Sequence, residues 1–387
     1  YYCLVFLVPR FSSSAVSFVV AGALIPLSVM GFQWFMSAVE QYAFMAIRNF
    51  IVKLLTICAM FLFVHSPEDI VIWVAISVLA TGLSSIANVF FIFRTITIQK
   101  WCSLNWKRHI KPLVIFFLMV AATTIYTMLD TVMLGFMASD TDVGYYNIAV
   151  KIKNVFISLI AALAGVLIPR ATYFLGTNNK NKYYQIVNLS THAALIYSLF
   201  IVPVGIIFAE PIILVLAGDQ YTPSISALLF IMPAVFFVSC TQITSSEILT
   251  PNNQEKKLAL IYLSAGILNI GLNLVLIPSL RASGAAISTS LAELFVLIAQ
   301  LVIIRKKEPL ALYLKGSKEI VIWELIAFII LITGRLLLGS NIASAIITAL
   351  CASLVLLVGL AHSKEPLIND FIISIKKYFI KWNNKEH

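Results

Sequence analysis

Two oppositely charged side chains stand inside long apolar runs of this 387-residue chain. Asp130 lies in the run 113–137 and Lys151 lies in the run 148–168, at similar distances from the polar turn near residue 141. Ionisable groups at membrane depth are costly and usually face a cavity or a partner. In an antiparallel helix pair these two charges would share one depth, so they could form a structural ion pair or line a hydrophilic lumen.

Helical spacing extends this polar character along both runs. Residues three or four apart share a helix face, so Lys151 shares its face with Asn147 and Asn154. The face of Asp130 carries further polar residues, namely Thr123, Tyr126 and Thr127. We therefore expect Asp130, Lys151 and Asn154 to contribute to a translocation path. Lys153 would point about 160° away from Lys151 and snorkel to the membrane interface.

A second carboxylate, Glu293, lies in the middle of the apolar run 284–304, and the matching position of the preceding run 258–278 is Asn269. A carboxylate beside an amide could bind a proton or Na⁺ in a coupling cycle, or could form a structural hydrogen bond between helices. Three other charges lie nearer the ends of their runs, where we expect snorkelling: Glu247, Glu324 and Arg335.

The sequence lacks the motifs of catalysis, cofactor binding and metal binding. No Gly-rich phosphate loop ends in Gly-Lys-Ser/Thr, so we do not expect the chain to hydrolyse ATP. The five histidines and five cysteines are dispersed, without the spacing of a metal site or a disulfide framework. We expect no catalytic residue, no metal and no cofactor, and therefore a protein that is not an enzyme.

The composition identifies the environment in which these side chains are positioned. Apolar residues make up 60% of the chain and charged residues 11%, against about half and about a quarter in soluble domains. Each apolar run is long enough for a helix to cross the bilayer core, which takes about 20 residues. The sequence thus predicts an all-α polytopic membrane protein whose spans are 16–38, 47–64, 70–93, 113–137, 148–168, 186–207, 225–249, 258–278, 284–304, 320–338 and 342–361. The apolar residues 1–9 resemble the end of a further, truncated helix.

Basic residues are distributed asymmetrically between the connecting segments. Most of the 27 Lys and Arg residues fall in alternate segments and in the tail 362–387, which the positive-inside rule places in the cytoplasm. The net charge of +10 thus suits an anionic membrane surface rather than nucleic acid. Apolar residues at helical spacing predict that the tail is an amphipathic helix on the inner surface.

Three blocks of sequence, read together, carry a family resemblance. The first comprises Trp34-Phe35-Met36, Glu40, Arg48-Asn49 and Lys53. The second comprises Asp130-Thr131-Val132-Met133-Leu134-Gly135, Val143-Gly144-Tyr145-Tyr146, Ala149, Lys151-Ile152 and Pro169-Arg170. The third comprises Asn269, Asn273, Ile277-Pro278, Gly284-Ala285-Ala286 and Glu293. In this order they resemble the polysaccharide-transporter branch of the multidrug/oligosaccharidyl-lipid/polysaccharide flippase superfamily, which comprises O-antigen and capsule repeat-unit flippases. Arg281 departs from the Gly of the family's P-x-x-G turn.

The resemblance implies an architecture of two six-helix lobes plus a C-terminal helix pair, with the N-terminal lobe truncated in this chain. On that basis we expect residues 1–100 to form the incomplete N-terminal transmembrane lobe and residues 101–305 to form the C-terminal lobe. Residues 306–361 would form the terminal helix pair, and residues 362–387 would form the amphipathic cytoplasmic tail.

The resemblance also implies a function. Members of this family translocate polyprenyl-diphosphate-linked oligosaccharide across the bacterial cytoplasmic membrane by alternating access, for cell-surface polysaccharide synthesis. The expected partners are this substrate, membrane lipid and other membrane proteins of glycan assembly, with H⁺ or Na⁺ coupling and no nucleic acid. Candidate substrate-binding residues are Arg48, Lys53, Asp130, Lys151 and Asn154. Candidate ion-coupling residues are Glu293, Asn269 and Asp130.

Two other functions stay open at the level of sequence. A cation-coupled multidrug exporter of the same superfamily would have an acidic, aromatic lumen rather than one with Arg and Lys. A membrane glycan polymerase or ligase would need a large outer loop with catalytic side chains. The connecting segments between the predicted spans are too short to favour that enzyme.

Overall fold

The computed structural model describes residues 2–7, 15–39, 41–95, 110, 113–114, 117, 128–306, 312–363 and 365–369. The chain divides into two compact units, Tyr1–Trp106 (unit 1) and Lys107–His387 (unit 2). Within the described residues every regular element is a helix, and no strand occurs.

Unit 1 is built around the long helix α6. Its helices are α1 (Tyr2–Leu7), α2 (Ala15–Gly22), α3 (Leu24–Met30), α4 (Gln33–Ala38), α5 (Tyr42–Phe63) and α6 (Ile70–Thr95). Helices α2, α3 and α5 all pack against α6.

The first predicted span, 16–38, is broken into the three short helices α2, α3 and α4. Phe32 has φ +44°, a conformation that a right-handed helix cannot contain. The break frees backbone carbonyls that need other donors. Ser85 Oγ donates to Leu27 O at 2.7 Å and Asn88 Nδ2 donates to Gly31 O at 2.5 Å. Polar side chains of α6 therefore donate hydrogen bonds to backbone carbonyls of the interrupted segment.

Unit 2 contains the remaining long helices. They are α7 (Met128–Met137), α8 (Asp140–Gly176), α9 (Lys180–Ile207), α10 (Ala209–Ala217), α11 (Ser224–Ile243), α12 (Glu255–Arg305), α13 (Ser317–Leu338) and α14 (Ile342–His362). Helix α11 packs against α8, α9 and α12, and its residues Leu228, Ile231, Met232 and Val235 are fully buried. A π-helical segment, Thr244–Leu249, continues from α11.

Helix α12 is a hairpin of two halves that turns at Arg281, where φ is +49° and ψ is −125°. The halves run back along each other, because Ile261 and Ala265 of the first half share a buried cluster with Val296 of the second. At Gly284 a Cβ atom would lie 2.4 Å from the carbonyl oxygen of Leu276, so only glycine permits this close approach.

Nine helices of the described residues are long and apolar enough to cross a membrane. With α12 counted as two spans, ten of the eleven predicted spans correspond to these helices. Most of the remaining span, 113–137, lies outside the described residues, and α7 covers its end. The outward surfaces of the helices expose large apolar residues such as Phe61, Leu337 and Val275. The all-α polytopic membrane fold is thereby confirmed. The predicted domain boundaries at 100, 305 and 361 stay predictions.

Helices α13 and α14 pack on each other, and α13 also contacts α9. Of the predicted amphipathic tail, only 362–363 and 365–369 belong to the described residues. Glu365 Oε1 lies 2.7 Å from His192 Nδ1 of α9, and both side chains are about 1% exposed. This contact fixes the start of the tail to unit 2, while the rest of the predicted helix lies outside the described residues.

Candidate functional site

Helices α7, α8 and both halves of α12 bring polar side chains to the buried carboxylate of Asp130, which is 4% exposed. Tyr146 OH and Thr289 Oγ1 donate to Asp130 Oδ2 at 2.9 and 2.6 Å. Asn273 Nδ2 donates to Asp130 Oδ1 at 2.6 Å and to Asn269 Oδ1 at 3.1 Å. These five residues, Asp130, Tyr146, Asn269, Asn273 and Thr289, form what we call the Asp130 cluster.

The turns of two helical hairpins set the depth of this cluster. Ser139 caps α8, because its Oγ accepts from Asp142 N at 3.1 Å, which satisfies one free donor at the helix start. Asp130 lies about two and a half helical turns before Ser139, and Tyr146 lies about two turns after it. Asn273 and Thr289 lie about two turns on either side of Arg281. Similar arm lengths therefore bring the four side chains to a similar level.

The lysine that interacts with the Asp130 cluster is Lys153, not Lys151. The Lys153 ammonium interacts electrostatically with the carboxylates of Glu293 and Asp130. Lys151 is exposed on α8, as is Asn154. Of the two alternatives for Asp130 and Lys151, the ion pair is therefore not formed among the described residues. Lys153 does point away from the exposed Lys151, but the expectation that it snorkels to the membrane interface is wrong, because its ammonium interacts with Glu293 and Asp130. The distance from the turn predicted how deep in the membrane a partner on α8 would lie. It did not predict which face of α8 turns toward α7.

Asp130, Asn269 and Glu293, which the sequence placed in two separate polar regions, lie in one region of unit 2. Lys153 joins Glu293 to the cluster electrostatically. The sequence reasoning did not assign roles to Tyr146 and Thr289. A signal for each was present, since Thr289 lies one turn before Glu293 and Tyr146 lies two turns before Lys153, each on a shared helix face.

The cluster offers oxygen atoms of one charged and several neutral groups. Asn273 Oδ1 is buried and has no hydrogen-bond partner among the described residues. With the carboxylate of Asp130, the Asn269 amide oxygen and the Thr289 hydroxyl, it forms a set of hard oxygen donors of the kind that small cations prefer. One carboxylate suits a monovalent cation, because a divalent ion would leave more positive charge uncompensated in the membrane.

Unit 1 holds a separate buried cation, Arg48 of α5, which is 8% exposed. Its Nη1 donates to Asn88 Oδ1, and its Nη2 donates to Asn49 Oδ1 at 2.7 Å. Its Nε has no hydrogen-bond partner among the described residues. Lys53 lies further along α5 and is exposed. Of these two predicted substrate-binding residues, Arg48 is thus buried and Lys53 is exposed.

The three charges expected to snorkel do not share one environment. Glu247 is fully buried and Glu324 is 6% exposed, so the prediction of snorkelling is wrong for both carboxylates. Arg335 Nη2 lies 2.9 Å from Glu210 Oε2. This arginine is therefore paired across α13 and α10.

Comparison with known proteins finds families and relatives to which this chain is similar. Residues 1–174 match the family model described as "Polysaccharide biosynthesis protein", and residues 116–275 match the MatE family model. The "Putative O-antigen transporter" of Shigella dysenteriae is 26% identical over 277 residues, which cover 69% of this chain and 67% of that protein. The protein of the same description from Escherichia coli (strain K12) is 24% identical over 279 residues, covering 72% and 67%. The "Probable flippase AglR" of Haloferax volcanii is 26% identical over 220 residues, covering 53% and 42%.

The fold is similar to a solved structure described as "Lipid II flippase MurJ, inward closed conformation". The TM-score is 0.72 at 17% sequence identity, over 89% of this chain and 72% of that one. At this identity the likeness supports the fold alone. The family models, the transporter relatives and this fold agree with one another. Together the family models and the transporter relatives support the resemblance of the chain to the polysaccharide-transporter branch of the multidrug/oligosaccharidyl-lipid/polysaccharide flippase superfamily.

Proposed function

We propose that this protein moves polyprenyl-diphosphate-linked oligosaccharide repeat units from the inner to the outer leaflet of the bacterial cytoplasmic membrane. The observation that carries this proposal is the match to two O-antigen transporters over about two thirds of their length. Its relatives are transporters and flippases rather than enzymes. The product of the reaction would enter the synthesis of cell-surface polysaccharide.

The substrate explains why a protein is needed. Sugar hydroxyls cost several kcal/mol each when they leave water without a hydrogen-bond partner, so the head group cannot cross hydrocarbon unaided. The diphosphate needs cationic partners, and charge-assisted hydrogen bonds to it are strong. We assign this role to Arg48 and Lys53 in unit 1 and to Lys151 in unit 2. Asn154, one turn along the exposed face of Lys151, would contact sugar hydroxyls.

Coupling to an ion gradient is the second part of the proposal. The Asp130 cluster would bind Na⁺ or a proton through the carboxylate of Asp130 and the amide oxygen of Asn269. Glu293 would respond to the same ion through Lys153, which interacts with both carboxylates. Cation binding at Asp130 would weaken the electrostatic attraction between Asp130 and Lys153. Lys153 would then interact more strongly with Glu293.

The orientation of the chain also belongs to the proposal. The basic connecting segments and the C-terminus would lie in the cytoplasm, as the distribution of Lys and Arg favours. The hairpin turns near Ser139 and Arg281 would then face the outside. Other membrane proteins of glycan assembly would receive the flipped repeat unit there.

The experiment uses proteoliposomes that hold a polyprenyl-diphosphate oligosaccharide in both leaflets. A glycosidase added outside cuts only the heads it can reach. Vesicles with the protein should expose the inner pool over time, whereas vesicles without protein should stop once the outer pool is consumed. A folded protein that exposes no inner pool for any of several glycans would overturn the proposed function.

A further inference from the structure

Glu247 lies in the π-helical segment Thr244–Leu249 of unit 2 and is fully buried. Neither of its carboxyl oxygens has a hydrogen-bond partner at normal distance, and no cation pairs with it, among the described residues. The Ser190 side chain of α9 lies beside the carboxyl. Tyr183 OH approaches the segment too, but it donates to the backbone carbonyl of Glu247 at 3.1 Å.

This environment decides the charge of the group. An isolated carboxylate without a cation or donors is very costly in a medium of low dielectric, so such a group takes up a proton instead. A protonated carboxyl with poor partners still adds nothing to stability, because a buried polar group left without a hydrogen bond costs about 1–3 kcal/mol. Packing alone therefore gives no reason for a glutamate at this position.

The π-helical segment gives a reason why the Glu247 carboxyl could change its protonation state. Thr250 N bonds to Ser245 O at 2.9 Å, a spacing of five residues that interrupts the α-helical ladder. Such π segments are rare and occur often at functional sites. Helix α8 covers the segment with apolar residues, since Ile160 and Ala164 share a buried cluster with Ile248.

Polar side chains connect the same segment to Glu293. Thr244 Oγ1 donates to Gln300 Oε1, and Gln300 Nε2 lies 3.5 Å from Tyr262 OH. The Ser245 side chain lies beside the Tyr262 phenol, and Glu293 acts electrostatically on that phenol. The titratable groups that reach the segment thus include Tyr183 from α9 and Tyr262 from α12, with Glu293 behind Tyr262. Tyr313 belongs to the same buried cluster as Ile248.

We propose that Glu247 is a proton-binding site of the transport cycle, separate from the Asp130 cluster. The carboxyl holds a proton in the conformation seen here and releases it when a change in the π segment lets water reach it. The site lies near the end of unit 2 that carries Lys256 and Lys257, which is the cytoplasmic end in the proposed orientation. This inference rests on the proposed function and names a proton as one coupled ion.

The first test reads the protonation of Glu247 without transport. The infrared C=O stretch of a protonated carboxyl should be present in the purified protein at neutral pH and should lose intensity in Glu247→Gln. Glu255→Gln, which changes an exposed glutamate at the start of α12, should leave the band unchanged. A spectrum that Glu247→Gln does not alter would overturn the inference, and it would do so whether or not the protein flips lipid.

The second test uses the native chain, in case Glu247→Gln does not fold. A hydrophobic carbodiimide reacts with protonated carboxyls within the membrane, and peptide mass spectrometry then locates the adduct. Modification of Glu247 that declines at least threefold as the pH is raised from neutral to alkaline is expected, with Glu255 unmodified. Absence of the adduct on Glu247 at neutral and acidic pH would contradict the assignment.

The third test measures transport in the proteoliposomes described above. Glu247→Gln should lower the acceleration produced by a pH gradient at least tenfold, whereas Glu255→Gln should respond as the wild type does. Flipping that accelerates equally in Glu247→Gln and in the wild type would sink the inference and leave the proposed function standing. No flipping by the wild type would overturn the proposed function, while the spectroscopic result would still decide the state of Glu247.

Discussion

At the scale of single residues, the charge of the Asp130 cluster depends on Lys153. The cluster surrounds Asp130 with three donors, from Tyr146, Thr289 and Asn273. Lys153 interacts electrostatically with both Asp130 and Glu293. Removing that lysine would leave two carboxylates to share one region.

We therefore expect Lys153→Gln to lower the free energy of unfolding by about 1–3 kcal/mol, the range for loss of a buried charge partner. Lys151→Gln, a matched change on an exposed position two residues away, should stay within about 0.5 kcal/mol of the wild type. Thermal unfolding of both variants in detergent measures the difference. Equal losses for the two lysines would contradict the electrostatic role of Lys153.

The sequence predicted the acidic and amide members of the site better than its basic member. Asp130, Asn269 and Glu293 stand out because charged and amide groups are rare in apolar runs. The choice between Lys151 and Lys153 depended on the rotation of α8 about its axis, and hairpin geometry alone does not determine that rotation. Tyr146 and Thr289 carry hydroxyls, which are common in membrane helices, so only their shared faces with Lys153 and Glu293 marked them in the sequence.

At the scale of elements, the hairpin of α12 holds Asn273 and Thr289 on facing arms. Its turn contains Arg281 with φ +49° and ψ −125°, a conformation that favours glycine. The sequence showed an Arg where the family's turn has Gly, and the structure shows that this residue is strained. The Arg281 Nη1 atom lies 3.7 Å from Asp142 Oδ2, but the arginine side chain is 70% exposed, so this pair offsets little of the strain.

Arg281→Gly should stabilise the hairpin. Relief of the unfavourable φ gains about 1–3 kcal/mol, and the added freedom of glycine in the unfolded chain costs about 0.4–1 kcal/mol. The net gain expected is about 1 kcal/mol, seen as a higher unfolding midpoint. Arg281→Lys keeps the backbone conformation and should show no gain. A lower midpoint for Arg281→Gly would show that the ion pair with Asp142 outweighs the strain.

Gly284→Ala tests the close approach of the two arms of α12. The new Cβ would lie 2.4 Å from the backbone carbonyl oxygen of Leu276, and overpacking of this kind costs about 1–3 kcal/mol. Gly271→Ala is the control, since its Cβ would meet nothing within 4 Å. Thermal unfolding should separate the two variants, and a neutral result for Gly284→Ala would mean that the arms move apart freely.

The start of α6 should respond to acid. The Asp69 carboxylate accepts from the backbone N–H groups of His65 at 3.0 Å and Ser66 at 2.9 Å, and these bonds lower the pKa of Asp69. A lowered carboxyl pKa means that the stabilisation is present at neutral pH and is lost as the pH falls through the folded-state value. The protection factors of the His65 and Ser66 amides, which compare exchange with the intrinsic rate at the same pH, should therefore fall at acidic pH in the wild type. In Asp69→Asn they should be low at every pH, and a retained acid step would refute the capping role.

At the scale of the whole molecule, the sequence predicted the fold class and the ten spans that lie within the described residues. Run length and hydropathy suffice for that, because a helix is the only open-chain structure that satisfies its backbone within lipid. They did not predict the break of span 16–38 at Phe32, which depends on donors from Ser85 and Asn88 on another helix. They also did not reveal the burial of Glu247, because that depends on how α8 and α9 cover the segment.

The two units carry different parts of the proposed mechanism. Unit 1 holds the buried guanidinium of Arg48, and unit 2 holds the Asp130 cluster and Glu247. Cationic contacts would bind the diphosphate, whereas the acidic and amide groups would bind the coupled ion. The central claim is that this protein flips a lipid-linked oligosaccharide under the control of a cation bound at Asp130.

The most direct test of that claim is the initial rate of flipping in proteoliposomes, measured with and without an imposed Na⁺ or pH gradient, for the wild type and for Asp130→Asn. The wild type should flip faster with a gradient of the coupled ion. Asp130→Asn should flip without any response to that gradient, about tenfold slower than the driven wild type, which corresponds to about 1.4 kcal/mol in the barrier. A gradient response in Asp130→Asn equal to that of the wild type would contradict the account.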